Sequence, residues 1–267
     1  KVKLTFNSGQ IGVKVTANAL TQATFNVDVD AEVTIENAST PLKVNGKIAN
    51  GTYKPGEGVG FDSTLTLVPP FVYEKDKVKL TLNSGSLGVK VKSSALEEVS
   101  FKVSASVEVT VENADGPLKV SGQITKGKYT PSGGLEFNAK LTLDAVFIYR
   151  KDPVVVKLNS GEIGVDVKET ALKEATFFVE AEVETTIQNA DGPLKLKGSI
   201  SNGKYTPTGG VDFDASLELA ATFTYNKSPV TVRFLSGKLG VKVKGSEFKE
   251  ASFDNIKVEL DVDIKGQ

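Results

Sequence analysis

Three acidic residues set two apart, Asp28, Asp30 and Glu32, come nearest to a chemical constellation in this sequence. Alternate residues of a strand share one face, so the three could offer oxygen ligands to a cation. Cross-strand pairing gives them a plainer use. It would set Asp30 opposite Lys47 and, further along, Glu184 opposite Lys197, making surface charge ladders that stabilise by a few tenths of a kcal/mol per pair. No loop has the dense Asp and Asn spacing of an oxygen cage, so no metal site is expected. Acids scattered evenly over repeated strands give no support to a carboxylate pair for glycoside hydrolysis.

Nucleophilic chemistry fares no better. His and Cys are both absent, which removes the Ser-His-Asp triad, the thiolate nucleophile, disulfides and the commonest transition-metal ligands. Ser-Lys chemistry needs a singular strained site, whereas the serines here recur in repeated positions. There is no Gly-x-Ser-x-Gly elbow and no phosphate-binding loop. The expectation is a chain with no catalytic residues and no cofactor. Glycosylation sequons at Asn37, Asn50 and Asn226 occur at a frequency that chance explains in a chain rich in Asn, Ser and Thr.

The elements that would position any site are written as a 76-residue period. Asn7, Asn83 and Asn159 fall in step, as do Asn37, Asn113 and Asn189, Tyr53, Tyr129 and Tyr205, and Phe61, Phe137 and Phe213. The organisation read from it is repeat 1 at 1–76, repeat 2 at 77–152, repeat 3 at 153–228 and a half repeat at 229–267 that acts as a C-terminal cap. No linker or composition shift separates the units. Because the chain opens on Lys1, it reads as a processed product.

Within a unit the apolar residues alternate with polar ones, the mark of a sheet with one buried and one wet face. The first two strands read as a hairpin turning at Ser8-Gly9, with Phe6 opposite Ile11, Leu4 opposite Val13 and Val2 opposite Val15. The third, near 14 residues long, carries Phe101, Val103, Ala105, Val107, Val109 and Val111 on one face. It would turn back through Asn113–Gly116 with Val111 opposite Leu118. Gly46, Gly122 and Gly198 fall on the apolar face, where they either relieve crowding or let the sheet curve, and curvature is the preferred expectation. At Asn50-Gly51 the phase slips by one residue, reading as a bulge or a second turn. The fifth strand runs unbroken from Leu135 to Tyr149, and Tyr73 would face Val78 across the loop into the next unit.

The fold class expected is therefore all-β: a continuous antiparallel meander of about 18 strands, curled around its apolar face as an elongated sandwich, barrel or groove. A membrane barrel fits worst, since Trp is absent, Tyr numbers only 6 and the strand lengths are uneven. In the last strand Ile256, Val258, Leu260, Val262 and Ile264 occupy the polar phase. Either Asp254-Asn255 form a bulge that restores the register, or these residues make an assembly strand that docks on a neighbouring molecule.

Net charge is −1 and only two of 32 cationic residues are Arg, so no nucleic-acid partner is expected. The lack of oxidisable Cys, Met and Trp fits a secreted or cell-surface protein. These features describe a non-enzymatic extracellular structural or adhesive protein, a spacer or filament subunit that self-associates through terminal strands. The alternative is a carrier of lipid or another hydrophobic ligand, with Phe25, Phe101, Phe177, Phe61, Phe137 and Phe213 facing the ligand.

Overall fold

A computed structural model of the chain describes residues 2–36 and 38–263. They form seventeen antiparallel strands of one meander sheet, without helix and without closure into a barrel. The barrel named among the three expected forms is thus not the one taken. Five strand types recur at the sequence period. The first is β1 (Val2–Thr16), β6 (Val78–Lys92), β11 (Val154–Lys168) and β16 (Val230–Lys244). The second is β2 (Ala19–Val33), β7 (Ala95–Val109), β12 (Ala171–Thr185) and β17 (Glu247–Val262). The third is β3 (Leu42–Lys54), β8 (Leu118–Thr130) and β13 (Leu194–Thr206). The fourth is β4 (Gly58–Val68), β9 (Gly134–Leu143) and β14 (Gly210–Leu219), and the fifth is β5 (Phe71–Lys75), β10 (Phe147–Lys151) and β15 (Phe223–Lys227).

The chain divides into two compact units, one of residues 1–109, 121–140 and 165–172, the other of 110–120, 141–164 and 173–267. In the first, Val29, Val44, Leu67, Phe71 and Ala105 are buried; in the second, Val120, Phe147, Ala181 and Phe223 are. No described side chain falls below 2% exposure. Burial is thin in both.

The expected hairpin at Ser8-Gly9 is not formed. β1 runs straight through it, and Phe6 lies opposite Val29 while Ile11 lies opposite Phe25. A bulge at Asn7, between the Phe6 and Ser8 pairs, shifts the apolar phase by one residue. A bulge and a two-residue turn leave the same phase relation in the sequence, which is why the pattern read as a turn. The bulge also explains the recurrent Asn. Asn7 Nδ2 donates to Asp30 Oδ2 at 2.7 Å, Asn83 to Ser106 Oγ at 2.8 Å and Asn159 to Glu182 Oε1 at 3.0 Å. The true turn is Ala17-Asn18, both residues at positive φ, 50° and 59°, as a tight hairpin of this twist requires.

The second and third strand types pair two residues out of the expected register. Val33 faces Leu42 and Thr185 faces Leu194, so Asp28 rather than Asp30 stands opposite Lys47, and Glu184 stands opposite Lys195 rather than Lys197. The connecting segment is longer than a four-residue turn because it folds onto the fifth strand type, bridging Ala38 to Tyr73, Ala114 to Tyr149 and Ala190 to Tyr225. The slip at Asn50-Gly51 is a bulge inside β3. Gly46 and Gly198 relieve crowding between neighbouring strands. A Cβ there would lie 2.1 Å from the Thr64 carbonyl oxygen and 1.8 Å from that of Ser216.

The fifth strand read as unbroken is two strands, β4 and β5, and both pair with β6: Leu65 faces Leu87 and Phe71 faces Leu82. Lys75 faces Val78 and Tyr73 faces Leu80, so the turn into the next unit is two residues, Asp76-Lys77. At the C-terminus, the bulge reading of the phase inversion is the one found. Asn255 adopts φ 52°, and beyond it Val258, Leu260 and Val262 stand opposite Phe234, Val232 and Val230. Ile264 lies outside the described residues, as does Asn37.

Candidate functional site

Glycine opposite an aromatic residue recurs along the second strand type. Phe25 faces Gly51 and Phe177 faces Gly203 across the bulge of the third strand type. Each ring covers its glycine so closely that a Cβ on Gly51, Gly127 or Gly203 would fall 2.2, 2.1 or 2.3 Å from the ring of Phe25, Phe101 or Phe177. Aromatic cover of this kind restores the contact that a glycine forgoes in a strand. The three phenylalanines are therefore occupied with their own sheet. Phe61, Phe137 and Phe213 are half-buried on the fourth strand type, with Phe61 opposite Val91 and Phe213 opposite Val243. Phe25, Phe61, Phe101 and Phe137 belong to the first compact unit, Phe177 and Phe213 to the second.

A concavity lined mainly by apolar side chains lies in the second unit and uses none of them. Leu194 and Leu196 of β13, Leu219 of β14, Phe223 of β15, Phe234 and Leu239 of β16, and Phe253 and Ile256 of β17 surround about 360 Å³. The Phe223 and Phe234 rings are tilted by 37° with centroids 6.1 Å apart, close enough for a favourable edge contribution. Phe223 is buried at its floor, whereas Phe253 is 67% and Ile256 47% exposed. This site is built where β14 ends and β15 begins, a break that the alternation of apolar residues does not reveal. Only Ile256 of the residues picked out from the sequence belongs to it.

Polar groups form ladders and clasps elsewhere. The hydroxyls of Ser94, Thr170 and Ser246, each at the tip of a hairpin between first and second strand types, accept from the backbone N–H of Val59, Leu135 and Val211 at 3.0 Å. The backbone N–H of each tip residue donates back to the same residue's carbonyl, at 2.7, 2.9 and 2.8 Å. Each hairpin is thus held on the start of the fourth strand type of the preceding repeat. At the corner between β10 and its bridging loop, Arg150 donates two bonds from Nε and one from Nη2 to the Asp115 carboxylate, at 2.8 to 3.0 Å. These bonds and the guanidinium charge hold Asp115 below the usual carboxylate range. Glu98 similarly raises Lys128, through a bond at 2.8 Å.

Asp28, Asp30 and Glu32 are spent on Ser8, Asn7 and Lys43 respectively. Among the described residues there is no group of three or more acidic side chains arranged to hold a metal ion. Among the described residues no helix is long and apolar enough to cross a membrane, which says nothing of membrane-crossing strands.

No protein-family model matches the chain, and no curated protein matches it. Among solved structures, the outer membrane protein OmpT of Vibrio cholerae, folded in vitro, aligns over 97% of this chain and 94% of its own at 10% identity. Its TM-score of 0.21 is too low to carry an argument about fold or role.

Proposed function

We propose that this chain is a non-enzymatic structural β-repeat protein, a spacer or filament subunit that works outside the cell or at its surface. The observation that carries the reading is the recurrent clasp. Ser94, Thr170 and Ser246 tie three successive hairpins to the repeat before them with the same pair of bonds. A unit joined to its neighbour by a contact that repeats without change can be lengthened by duplication, which is what a spacer needs. The residue types favour the same reading, because the side chains that do most general-base and nucleophilic work, His and Cys, are missing.

The carrier reading keeps one observation of its own. An apolar concavity of about 360 Å³ lies within the range of small-molecule sites, and it would accept an acyl chain or a compact hydrophobic ring system. Native mass spectrometry of untreated protein, set against its mass after organic extraction, decides between them. A ligand-free mass is expected. A discrete extractable mass would overturn the structural reading in favour of the carrier, and Phe253→Asp would then release the ligand.

A further inference from the structure

In this sheet a lysine-bearing third strand type lies beside the acidic second strand type, and among the described residues β17 has no such neighbour. The third strand type carries lysine and no acid: Lys43, Lys47 and Lys54 in β3, Lys195, Lys197 and Lys204 in β13. Its lysines bridge the acidic second strand type at two places. Near one end of that strand, Lys43 meets Glu32 at 3.7 Å and Lys195 meets Glu184 at 3.2 Å. Near the other, Lys128 meets Glu98 at 2.8 Å and Lys204 meets Glu174 at 2.5 Å. In β17 the equivalent acids, once the extra residue of the Asn255 bulge is allowed for, are Asp261, which already meets Arg233 of β16 at 2.6 Å, and Glu250, which stands opposite Lys242 of β16. Among the described residues no third-type strand pairs with β17, and its side chains are exposed throughout.

From these facts, and resting on the structural reading above, we infer that β17 of one molecule pairs antiparallel with β1 of a second. β1 is a basic strand, with Lys3 and Lys14 and no acid, and among the described residues it pairs with β2 and with no strand along the edge that β6 gives to β4 and β5. A single register satisfies both charge and phase. Lys3 stands opposite Asp261 and Lys14 opposite Glu250, while Phe6 meets Val258, Ile11 meets Phe253 and Val13 meets Ala251 on the apolar face. The lysines of β1 and the acids of β17 are equally far apart along their strands, and the bulge of β17 supplies the residue that makes them so. Phe6, Ile11 and Val13 are 64%, 73% and 65% exposed, and Phe253 and Val258 are 67% and 46% exposed, so the contact would cover apolar surface on both partners. Two different edges meet, so the contact is heterologous. It propagates into filaments, or into rings where the rotation closes.

The absence of native cysteine makes disulfide trapping a clean test of this register. Full-length Val13→Cys and Ala251→Cys chains, mixed and oxidised, are expected to form a linked dimer that neither forms alone. Val15→Cys mixed with Ala251→Cys, two residues out of register, is expected to yield little. The paired change Lys3→Glu with Lys14→Glu should weaken concentration-dependent association at least about tenfold in sedimentation, and mixing with Glu250→Lys, Asp261→Lys chains should restore it. A folded, ligand-free monomer at every concentration would overturn the inference while leaving the spacer reading in place. Cross-linking of either variant with itself, equal yield in both registers, or failure of the charge-swapped mixture to recover would overturn it too. A copurifying ligand is the separate result that would overturn the structural reading.

Discussion

β1 and β6 are copies of one strand in unequal surroundings. Phe6, Ile11, Val13 and Val15 of β1 stand where Leu82, Leu87, Val89 and Val91 stand in β6. In β6 these side chains are half-buried, because β4 and β5 flank it on one side and β7 on the other. In β1, where β2 is the paired neighbour, they are 60% to 73% exposed. The same apolar pattern therefore serves as core in one copy and as an open edge in the other. Long apolar edges without proline are a hazard that natural sheets usually blunt, and β1 has neither proline nor a charge in its apolar phase. An edge left in that state is suited to receiving another strand.

The difference between interior and edge can be broken most severely at glycine. Gly46→Val would drive a side chain into the β4 backbone, with β3 held between β2 and β4, and should destabilise by about 3 kcal/mol in urea unfolding. Gly9→Val meets Val27 and the Asn26 carbonyl on β2, but β1 can move outward, so about half that loss is expected. Equal losses would mean that β1 is held as firmly as an interior strand. Leu87→Ala should cost about 2 kcal/mol and Ile11→Ala less than about 1 kcal/mol, since the cost of truncation follows the contacts removed. At the hairpin tips, Thr170→Val removes the hydroxyl that receives the Leu135 N–H and should cost about 1 kcal/mol. Among the described residues Asn18, the corresponding tip between β1 and β2, makes no such clasp, and Asn18→Gly should stay within about 0.5 kcal/mol.

The smallest effect concerns the Asp115–Arg150 corner. The folded-state carboxyl titrates below its unfolded value, so the pair favours the folded state above the ordinary carboxylate range and loses that influence as pH falls through the lowered pKa. Both groups are exposed, so the change in stability should be slight. Arg150→Gln is expected to return Asp115 to the ordinary range in a carboxyl NMR titration. An unmoved Asp115 would show that the three bonds at this corner do not persist in solution.

Much of this architecture was legible in particular residues. Alternation in Phe101, Val103, Ala105 and Val107 announced a half-buried strand, and Asp254-Asn255 marked the place where the last strand changes phase. The apolar concavity of β13 to β17 was not legible, because Leu219, Phe223 and Phe234 meet only through the break between β14 and β15. Nor were the hairpin tips, since Ser93-Ser94 and Glu169-Thr170 hold positive φ without the glycine that would have signalled it.

By itself the sequence determined the all-β class, the side of each strand that is apolar and the positions where phase changes. Those properties are local, because side chains alternate along any extended chain whatever its neighbours. Tertiary structure decided the rest. A phase change at Ser8-Gly9 is satisfied equally by a turn and by a bulge, and the choice depends on whether β2 lies alongside the whole of β1. The register of Glu184 with Lys195 depends on a connecting loop bridging to Tyr225. Whether an apolar face becomes core or open edge depends on how many strands pair with it, a property that belongs to the sheet rather than to any one of its strands.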